Sequence, residues 1–443
     1  MTASEAPLKR SRYTLQARQE DGVYLQNTFT GSGGLYPSRA LELLRRSQPD
    51  LSDPLAALLL KDGHLVPNDI DEIARATRHQ MSAFFRDDVL HLILFSTEQC
   101  NFRCTYCYEK FKHGSMRPEV REGVKRLVSQ RGPGLKLLSI SWFGGEPLYA
   151  HEVVQELSEH FTAVSQEHGF KYMAHATTNG YYLTPELAPA LIENGLRDFQ
   201  ITLDGPAAVH DRTRMLQGGG PTFDTIWANL LFLKDSNLDF TCTLRINFSP
   251  DNYDDAPAFI STLGETFGYD PRFKLHAHPV GRWGGEQDEQ LNVYGMDDGF
   301  DRALPLYEHA KSCGLGMLHA NLNPFGSVCY AARGNSFAIR TSGQVVKCTV
   351  ALDDERNHVG QLHADGTLLL DREKLLPWVQ DNALIDTTCQ SCAIRPSCHG
   401  AACPLDKMNT GEQPCPDVKR NFKKFLPLTL APVEGFQELE VLA

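Results

Sequence analysis

Residues 92–108 read LILFSTEQCNFRCTYCY, an apolar segment followed by three cysteines in a C-x3-C-x2-C spacing. We expect His91–Phe95 to form a buried strand and the polar turn after it to carry Cys100, Cys104 and Cys107. Binding loops commonly follow the carboxyl ends of sheet strands, where the backbone is free to shape a site. Three thiolates are one fewer than a closed zinc or [4Fe–4S] site requires. The spacing therefore predicts a metal centre with one open position, and three structural cysteines without a metal are the alternative.

Aromatic residues complete this loop, because Tyr106 lies between the last two cysteines and Tyr108 follows them. With them, the loop resembles the CxxxCxΦC loop of the radical S-adenosylmethionine (radical SAM) family. In that family the three cysteines hold a [4Fe–4S] cluster, and the amino and carboxylate groups of the SAM methionine chelate its fourth iron. An electron from the cluster cleaves SAM to a 5′-deoxyadenosyl radical, which abstracts hydrogen. The resemblance implies these roles for the three cysteines and makes Tyr106 a candidate SAM contact.

The segment from His91 to about Gly281 alternates apolar strands with amphipathic helices. The predicted strands are His91–Phe95, Leu137–Trp142, Tyr172–Thr177, Asp198–Leu203, Phe240–Asn247 and Phe273–Pro279, and the helices include Pro118–Ser129, Glu152–Gln166, Pro185–Asn194 and Phe223–Asp235. This alternation indicates parallel βαβ units with right-handed crossovers. The predicted fold class is therefore α/β, a partial (β/α)6 barrel of the radical SAM type, with its chemistry at the carboxyl ends of the strands.

A glycine-rich turn, Gly144-Gly145-Glu146-Pro147, follows the second predicted strand. Two glycines let the backbone approach a ligand closely, and their N–H groups can face a charged partner. A tight turn without a ligand is the alternative. The turn resembles the GGE motif of the radical SAM family, which implies that these residues hold the methionine amino group of SAM.

Polar turns also end the third and fourth strands, at TTNG (177–180) and TLDGP (202–206). The resemblance implies that Thr202 contributes to binding the SAM ribose, and Asn179 lies at the same edge as a further candidate SAM contact. Arg214, in the run HDRTR, is expected to pair with the methionine carboxylate through its planar fork. The alternatives are a surface ion pair for Arg214 and a turn-forming side chain for Asn179.

Polar residues on the last two predicted strands face the barrel interior. Arg245 and Asn247 alternate with apolar neighbours, and an inward-facing charge needs a partner. We expect that partner to be substrate or SAM, with a core ion pair as the alternative. His276 and His278 alternate in the same way and are either part of the active-site wall or, more simply, core histidines. Cys242 is expected to be a buried apolar residue.

A second group of cysteines lies towards the carboxyl end of the chain. Its seven members are Cys329, Cys348, Cys389, Cys392, Cys398, Cys403 and Cys415. A small, loop-rich segment with little apolar core is commonly stabilised by metal. The group resembles the SPASM extension of radical SAM enzymes, with its C-x9–15-G-x4-C, gap, C-x2-C-x5-C-x3-C, gap, C signature. The first pair, with Gly343 between, fits that signature, whereas four residues rather than three separate Cys398 from Cys403.

The SPASM resemblance implies two auxiliary [4Fe–4S] clusters, with zinc as the alternative. The implied ligands are Cys389, Cys392, Cys398 and Cys415 for the outer cluster, and Cys329, Cys348 and Cys403 for the inner one. The fourth position of the inner cluster would be open or filled by another group, and Cys313 is the spare thiol nearest in sequence. The implied cofactors are thus three [4Fe–4S] clusters and SAM.

Residues 1–85 carry no catalytic motif. Short strands at Tyr13–Arg18 and Val23–Asn27, followed by helical patterns, resemble the amino-terminal leader-binding modules of peptide-modifying radical enzymes, and a scaffold cap is the alternative. Val23–Asn27 is the candidate for a free sheet edge that binds a leader peptide as an added strand. We therefore predict an α+β peptide-binding or capping module (1–85), a radical SAM core (86–315) and a cysteine-rich SPASM domain (316–443).

Charge and composition argue against several classes of partner. The chain has a net charge of −12, from 43 basic and 55 acidic residues, which argues against nucleic acid. No apolar run approaches the ~20 residues of a membrane span, and residues 1–20 lack the apolar region of an export signal. The 12 cysteines indicate metal sites in a reducing compartment rather than disulfides. We therefore expect a cytoplasmic protein with no membrane and no nucleic-acid partner.

Enzymes with a SPASM extension mostly act on peptides or proteins. We favour a maturase that modifies a ribosomally made precursor peptide, by forming a thioether or carbon–carbon cross-link or by epimerising a residue. Its second partner would be an electron donor such as flavodoxin or ferredoxin. The sequence identifies no catalytic base.

Two alternatives to a peptide maturase remain. An anaerobic sulfatase-maturating enzyme oxidises Cys or Ser to formylglycine, and in that family an Asp directly follows the cysteine matching Cys348. Here Thr349 follows, and the nearest acids are Asp353 and Asp354. A non-enzymatic iron–sulfur electron-transfer protein or zinc scaffold is the other alternative, although such a protein needs no pocket for a second ligand.

Metal content tests the cluster assignment. After anaerobic reconstitution the protein should contain about twelve irons per chain with matching sulfide, because three [4Fe–4S] clusters require them. Iron, acid-labile sulfide and zinc analyses measure this. About four irons together with stoichiometric zinc would show that the carboxyl-terminal cysteines bind zinc instead.

Overall fold

The computed structural model describes residues 7–84, 86–317, 322–379 and 383–434. These residues form two compact units. The first consists of the described residues within 1–85, 320–333 and 379–443, and the second of those within 86–319 and 334–378. No helix among the described residues is long and apolar enough to cross a membrane.

The chain alternates strands and helices through most of its length. The strands are β1 (Leu8–Arg10), β2 (Thr14–Gln19), β3 (Gly22–Asn27), β4 (Gly33–Tyr36), β5 (Leu65–Pro67), β6 (Val89–Thr97), β7 (Leu137–Gly144), β8 (Lys171–Thr178), β9 (Leu196–Thr202), β10 (Thr241–Phe248), β11 (Phe273–Pro279), β12 (Gly316–Met317), β13 (Ser336–Ile339), β14 (Gln344–Val346), β15 (His358–Leu362) and β16 (Leu368–Leu370). The helices are α1 (Ala40–Leu43), α2 (Pro54–Lys61), α3 (Glu72–Phe84), α4 (Pro118–Arg131), α5 (His151–His168), α6 (Ala188–Glu193), α7 (Ala207–Thr213), α8 (Phe223–Asp235), α9 (Ala256–Phe267), α10 (Met296–Ser312), α11 (Arg372–Val379), α12 (Thr387–Ser391), α13 (Arg395–Cys398), α14 (Pro404–Thr410) and α15 (Val418–Thr429).

The second unit is built on one large sheet in the order β12-β11-β10-β9-β8-β7-β6-β13-β14-β15-β16. Strands β6 to β11 are parallel, and helices connect them, which confirms the predicted α/β barrel strands. Residues 92–97 of β6 are all buried, as expected for a strand covered on both faces. The parallel arrangement brings the carboxyl ends of all six strands, and the loops that follow them, to one edge.

The sheet continues beyond the six predicted strands. The open edge of β6 pairs in parallel with β13, and β13 pairs with β14 as an antiparallel hairpin. This hairpin lies between Cys329 and Cys348, and its attachment to the barrel was not predicted. Pairing removes the exposed edge that a partial barrel would otherwise present at β6.

A buried ion pair joins this hairpin to the loop that carries the first cysteines. Arg340 donates from Nη2 to Glu98 Oε2 at 2.5 Å and from Nε to Oε1 at 3.3 Å, and Thr341 Oγ1 donates to Oε1 at 2.9 Å. Arg340 and Glu98 are only 7% and 3% exposed. A desolvated charge needs its partner, so these contacts fix the start of the cysteine loop against the hairpin.

The first unit contains a three-stranded antiparallel sheet in the order β2-β3-β4 and a separate β1–β5 pair. Helix α15, from the carboxyl-terminal part of the chain, packs against β2 and β3. The prediction that Val23–Asn27 is a free edge strand is wrong, because these residues lie in the central strand, β3. The sequence did not show this because β4, with its two glycines, was not recognised as a strand.

Residues from both ends of the chain share this unit. Arg395 Nη2 donates to Thr77 Oγ1 at 2.7 Å, and Gln80 Nε2 donates to the His399 carbonyl at 3.3 Å. Thr28 Oγ1 donates to the Ala393 carbonyl at 2.7 Å. The amino-terminal residues are thus packed with the cysteine-rich segment. The division into three consecutive domains stays a prediction.

The ion pair between Glu98 and Arg340 makes a stability prediction. Arg340→Met should lower the free energy of unfolding by roughly 3–5 kcal/mol, because it leaves the Glu98 carboxylate buried without its partner. Arg356→Met is the control, since the pair of Arg356 with Asp354 is largely solvent-exposed and should contribute less than about 1 kcal/mol. Urea unfolding followed by tryptophan fluorescence compares the two variants. Equal losses would contradict the assignment.

Candidate active site

A cavity of about 210 Å³ lies at the carboxyl ends of the parallel strands. Cys100, Cys104 and Cys107 line it together. The predicted SAM contacts that line the same cavity are Tyr106, Gly144, Gly145, Glu146, Asn179, Thr202 and Arg214. Pro147 is outside the lining, where its carbonyl accepts a hydrogen bond from Ser96 Oγ at 2.8 Å. The structure thus brings all but one of these predicted residues to one place.

The three thiols of the loop are close enough to interact electrostatically. Burial raises the pKa of Cys100 and of Cys104, and it raises the pKa of Cys107 to about 12. The neighbouring thiols raise the pKa of Cys100 further. Thiols in such a site are deprotonated when they bind a metal, whose positive charge compensates the thiolates. The donor set therefore fits a thiolate-bound cluster.

Glu146 links the ends of two strands. Its Oε1 accepts hydrogen bonds from the Leu148 N–H at 2.9 Å and from Thr178 Oγ1 at 2.6 Å, and its Oε2 accepts from the Asn179 N–H at 2.6 Å. Burial raises the pKa of this carboxyl, and the three hydrogen bonds oppose the rise. The side chain thus positions the turns after β7 and β8, while its contact with the SAM amino group stays a prediction.

The two glycines before Glu146 allow the turn to approach the cysteine loop. Gly144 has a φ of +118°, and a Cβ there would lie 2.2 Å from the Thr97 carbonyl oxygen. A Cβ at Gly145 would lie 2.3 Å from the Gln99 carbonyl oxygen. The same Gln99 oxygen accepts a hydrogen bond from the Glu146 N–H at 2.9 Å. Any side chain at these two positions would push the cysteine loop away from the turn.

Tyr106 is the centre of a buried hydrogen-bond network. Its hydroxyl donates to Asp204 Oδ2 at 2.7 Å and accepts from Arg214 Nη1 at 2.8 Å and Asn247 Nδ2 at 3.0 Å. Arg245 Nε donates to Asn247 Oδ1 at 2.7 Å. The sequence assigned Tyr106, Arg214, Arg245 and Asn247 separately, and the structure joins these four into one wall of the cavity.

Arg214 is buried rather than on the surface, so the alternative of a surface ion pair is wrong. Within the described residues no carboxylate lies within 4.0 Å of its guanidinium, and its buried Nε has no hydrogen-bond partner. A buried cation with a free donor in a cavity is suited to an anionic ligand such as a carboxylate. This observation fits the methionine carboxylate of SAM.

Glu109 is a cavity residue that the sequence analysis missed. Its Oε1 is buried with no hydrogen-bond partner among the described residues, and burial raises its pKa to about 8. The side chain lines both the first cavity and a neighbouring one. Trp283, on the loop after β11, also lines both. Glu109 lies two residues after Cys107, and this position in the sequence could have identified it as a site residue.

Asp353 lies in the wall of the neighbouring cavity. Its Oδ2 accepts hydrogen bonds from Lys110 Nζ at 2.6 Å and Lys112 Nζ at 3.4 Å, and these lysines lower its pKa. Thr349, which follows Cys348, is 7% exposed. In sulfatase maturases the base directly follows the cysteine that matches Cys348. Asp353, the acid nearest to that position in this sequence, is therefore paired with two lysines.

The remaining predicted interior residues have distinct environments. His278 lines the first cavity, its Nδ1 lies 2.8 Å from the Pro279 carbonyl, and burial lowers its pKa to about 3. The ring of His276 is 5.6 Å from that of His278. Cys242 is fully buried, as predicted. Cys313 caps the end of α10. A Cβ added at Gly264, in α9, would lie 2.4 Å from the Cβ of Cys313.

A second cysteine-lined cavity, of about 190 Å³, lies in the first unit. The four cysteines assigned to the outer cluster, Cys389, Cys392, Cys398 and Cys415, all line it. Burial raises the pKa of Cys389 to about 11 and of Cys398 to about 12, and nearby thiols of the set raise both. Four thiols around one cavity match the donor set of a closed cluster.

The three cysteines assigned to the inner cluster are divided between the units. Cys329 and Cys403 belong to the first unit and Cys348 to the second. The Cys329 N–H donates to the Ala401 carbonyl at 2.9 Å, and Cys403 caps α14. Asn357 Oδ1 accepts from the Cys348 N–H at 2.8 Å. No three His, Cys, Asp or Glu side chains in the described part of the chain are arranged to bind a single metal ion, so the cluster assignments stay predictions.

Removal of the first cysteine set tests the first cavity. The triple variant Cys100→Ala/Cys104→Ala/Cys107→Ala should lose reductive SAM cleavage completely, because no thiolate remains to hold the first cluster. Its iron content should fall by about one third, since the other two predicted clusters use other ligands. Chromatography of 5′-deoxyadenosine and iron analysis measure the two effects. SAM cleavage at the parent rate would place the SAM site elsewhere.

Comparison with known proteins identifies the superfamily. The Radical SAM superfamily sequence model matches residues 94–263. The radical SAM cyclopropyl synthase TigE of Paramaledivibacter caminithermalis is 21% identical over 379 residues, which cover 76% of this chain and 74% of that protein. A cysteine-type anaerobic sulfatase-maturating enzyme of Clostridium perfringens is 27% identical over 169 residues, 35% of this chain but only 44% of that enzyme.

Solved structures share the fold. Native anSMEcpe with bound AdoMet and the Kp18Cys peptide aligns with a TM-score of 0.57 at 16% identity, over 77% of this chain and 96% of that chain. Streptococcus suis SuiB bound to its precursor peptide SuiA aligns with a TM-score of 0.52 at 12% identity, over 92% and 98%. The superfamily match and the enzyme relatives support an enzyme rather than the non-enzymatic alternative. The chain contains a radical SAM domain and is an enzyme of the radical SAM class, similar in sequence to a cyclopropyl synthase and to sulfatase-maturating enzymes.

Proposed function

We propose that this protein is a peptide maturase that uses three [4Fe–4S] clusters and SAM to modify a ribosomally made precursor peptide. The observation that carries the proposal is the second cavity, where Cys389, Cys392, Cys398 and Cys415 meet. These cysteines belong to the SPASM-like pattern, and enzymes with that extension mostly act on peptides or proteins. Cysteine clusters also suit a reducing compartment, so we propose a cytoplasmic location.

The first cavity supplies residues for each part of the cofactor. Cys100, Cys104 and Cys107 would hold the first cluster, and Arg214 would bind the methionine carboxylate. When bound, the cluster and SAM supply a radical that abstracts hydrogen. Glu146 orients the turns around them, and the Tyr106 network keeps Arg214 in place. An electron donor such as flavodoxin or ferredoxin would reduce the first cluster.

Space for a substrate continues beyond the SAM cavity. Tyr108, Glu109, Phe111 and Trp283 line both this cavity and the neighbouring one, so the two adjoin. A radical abstracts hydrogen unselectively unless its target is held in position. An elongated space of this kind suits a peptide segment, with one residue near SAM and its neighbours beyond Glu109. The peptide ligands of anSMEcpe and SuiB support this class of substrate.

Leader binding by an added strand requires a free sheet edge. Because β3 is central, the edges of the small sheet are β2 and β4. The outer edge of β4 already exchanges hydrogen bonds with the carboxyl-terminal segment, from the Leu35 N–H to the Ala431 carbonyl and from the Val433 N–H to the Leu35 carbonyl. We therefore assign a leader-binding edge to β2 instead of β3.

The bond formed is expected to be carbon–carbon or thioether. TigE is by its name a cyclopropyl synthase, and closing a cyclopropane ring makes a carbon–carbon bond. Formylglycine formation is the second candidate, favoured by the likeness to sulfatase-maturating enzymes. Against it, Thr349 follows Cys348, and Asp353 is a weakened base because Lys110 and Lys112 lower its pKa.

The mass change of the substrate tests the proposal. The reconstituted protein, SAM and reductant should convert a candidate precursor peptide to a product that has lost two hydrogen atoms, or that gains one deuterium in D2O with no other mass change if a residue is epimerised. A sulfatase-derived Cys peptide is the parallel probe. Conversion of that Cys peptide to formylglycine, with no change in the candidate precursor peptide, would favour sulfatase maturation and contradict the maturase.

A further inference from the structure

Helix α15 carries an unusual concentration of positive charge. Its sequence, VKRNFKKFLPLT, contains four basic residues and no acidic one, in a chain whose net charge is −12. Its buried residues are Val418, Phe425, Leu426 and Leu428, and they face the small sheet. Arg420, Lys423 and Lys424 are exposed. We call these three side chains, with Lys419, the basic side of α15. Asp417, just before the helix, lies 3.6 Å from Arg420.

The basic side of α15 begins at the second cysteine cavity. Lys419 Nζ donates to Cys415 Sγ at 3.1 Å, and Lys419 lines the cavity. Cys415 is exposed, whereas Cys389 and Cys392 are partly buried and Cys398 is buried. Of the four thiols that line the cavity, Cys415 is therefore the one most accessible from solvent.

The donor set of this cavity limits what its cluster can do. Four cysteines would ligate all four irons, so no iron is open for a substrate or for SAM. A fully ligated cluster is suited to exchanging electrons. An electron must then enter or leave through the protein surface, and the exposed Cys415 marks where that surface is.

We propose that the basic side of α15 is the docking surface of an acidic one-electron carrier protein, which exchanges electrons with the cluster held by Cys389, Cys392, Cys398 and Cys415. This inference rests on the proposed auxiliary cluster but not on the proposed peptide substrate. In the step, the reduced carrier loses one electron and the cluster gains it, and no bond is made or broken. The same surface serves the reverse transfer when the cluster holds an electron taken from the substrate.

Charge complementarity selects the class of carrier. The overall negative charge of this chain repels an acidic protein, whereas the basic side of α15 attracts it, so encounters are steered to the one helix beside Cys415. Steering of this kind raises association rates and weakens as salt screens the charges. A docked carrier there would lie next to a cluster ligand, which electron transfer requires.

The experiment measures electron transfer from flavodoxin hydroquinone, an acidic carrier whose oxidation is followed by flavin absorbance in a stopped-flow instrument. The parent is the full-length Cys100→Ala/Cys104→Ala/Cys107→Ala variant, reconstituted with iron and sulfide. It cannot hold the first cluster, so electrons from flavodoxin reach only the auxiliary clusters.

In this parent, Lys423→Glu/Lys424→Glu should lower the second-order rate constant about tenfold at low ionic strength. The difference should vanish in high salt, and the reduction rate by dithionite should not change. Arg45→Glu/Arg46→Glu is the matched control, because it makes the same charge change at exposed residues of the same unit and should react like the parent. Lys423→Gln/Lys424→Gln, a milder pair that guards against misfolding, should give a smaller loss.

Two results would overturn the inference on its own: an unchanged rate constant in the Lys423/Lys424 variants with full iron content, or an equal loss in the Arg45/Arg46 control. A parent that retains no iron after reconstitution would overturn the auxiliary cluster and the docking surface together. Iron analysis of every variant separates these outcomes.

Discussion

The close approach of two loops is the constraint on which the active site depends. The turn after β7 touches the cysteine loop after β6 so tightly that Gly144 and Gly145 have no room for a Cβ. Glu146 then ties the same turn to the end of β8. Three neighbouring strands of the barrel are thereby held in register at the edge where the thiols lie. The cysteine loop can lie this close to the turn only because the backbone beside it has no side chain.

Electrostatics around the two cysteine sites differ in a way that suits different tasks. The first cavity combines three thiols with Arg214 and Glu109, and among the described residues the buried Nε of Arg214 and the buried Oε1 of Glu109 have no hydrogen-bond partner. Such unpaired groups are costly in an empty cavity and are suited to ligands. The second cavity has four thiols, and its lysine already donates to one of them. The groups of the first cavity therefore suit a ligand, and the thiols of the second match the donor set of a closed metal centre.

Much of this arrangement was predictable from local sequence, and the rest depends on distant contacts. The barrel strands, the cysteine loop and the GGEP turn are each encoded within a few residues, by apolar runs and glycine spacing. Three features were not: the attachment of β13 to β6, the central position of β3 and the exposure of Glu109 to two cavities. β3 is central because it pairs with β4 as well as with β2. The two glycines of β4 made its sequence unlike that of a typical strand. Gly33 and Gly34 are needed there, since a Cβ would lie 2.2 Å from Gln26 Oε1 and 2.6 Å from Val433 Cγ1 respectively. Pairings of this kind depend on residues far apart in the chain, which no local pattern records.

The first unit contains residues from both ends of the chain, and this affects when it can fold during synthesis. The hydrogen bond from Thr28 to Ala393 joins residues separated by 365 positions, so the amino-terminal strands leave the ribosome long before their packing partners exist. Long-range closure of this kind is slow because the chain entropy is lost before the contacts form. The barrel, whose strands pair with near neighbours in sequence, can fold during synthesis. The first unit closes only once α15 has been made, so the cavity of Cys389 and Cys415 takes its final shape at the end of translation, and any cofactor that this cavity binds must arrive after synthesis.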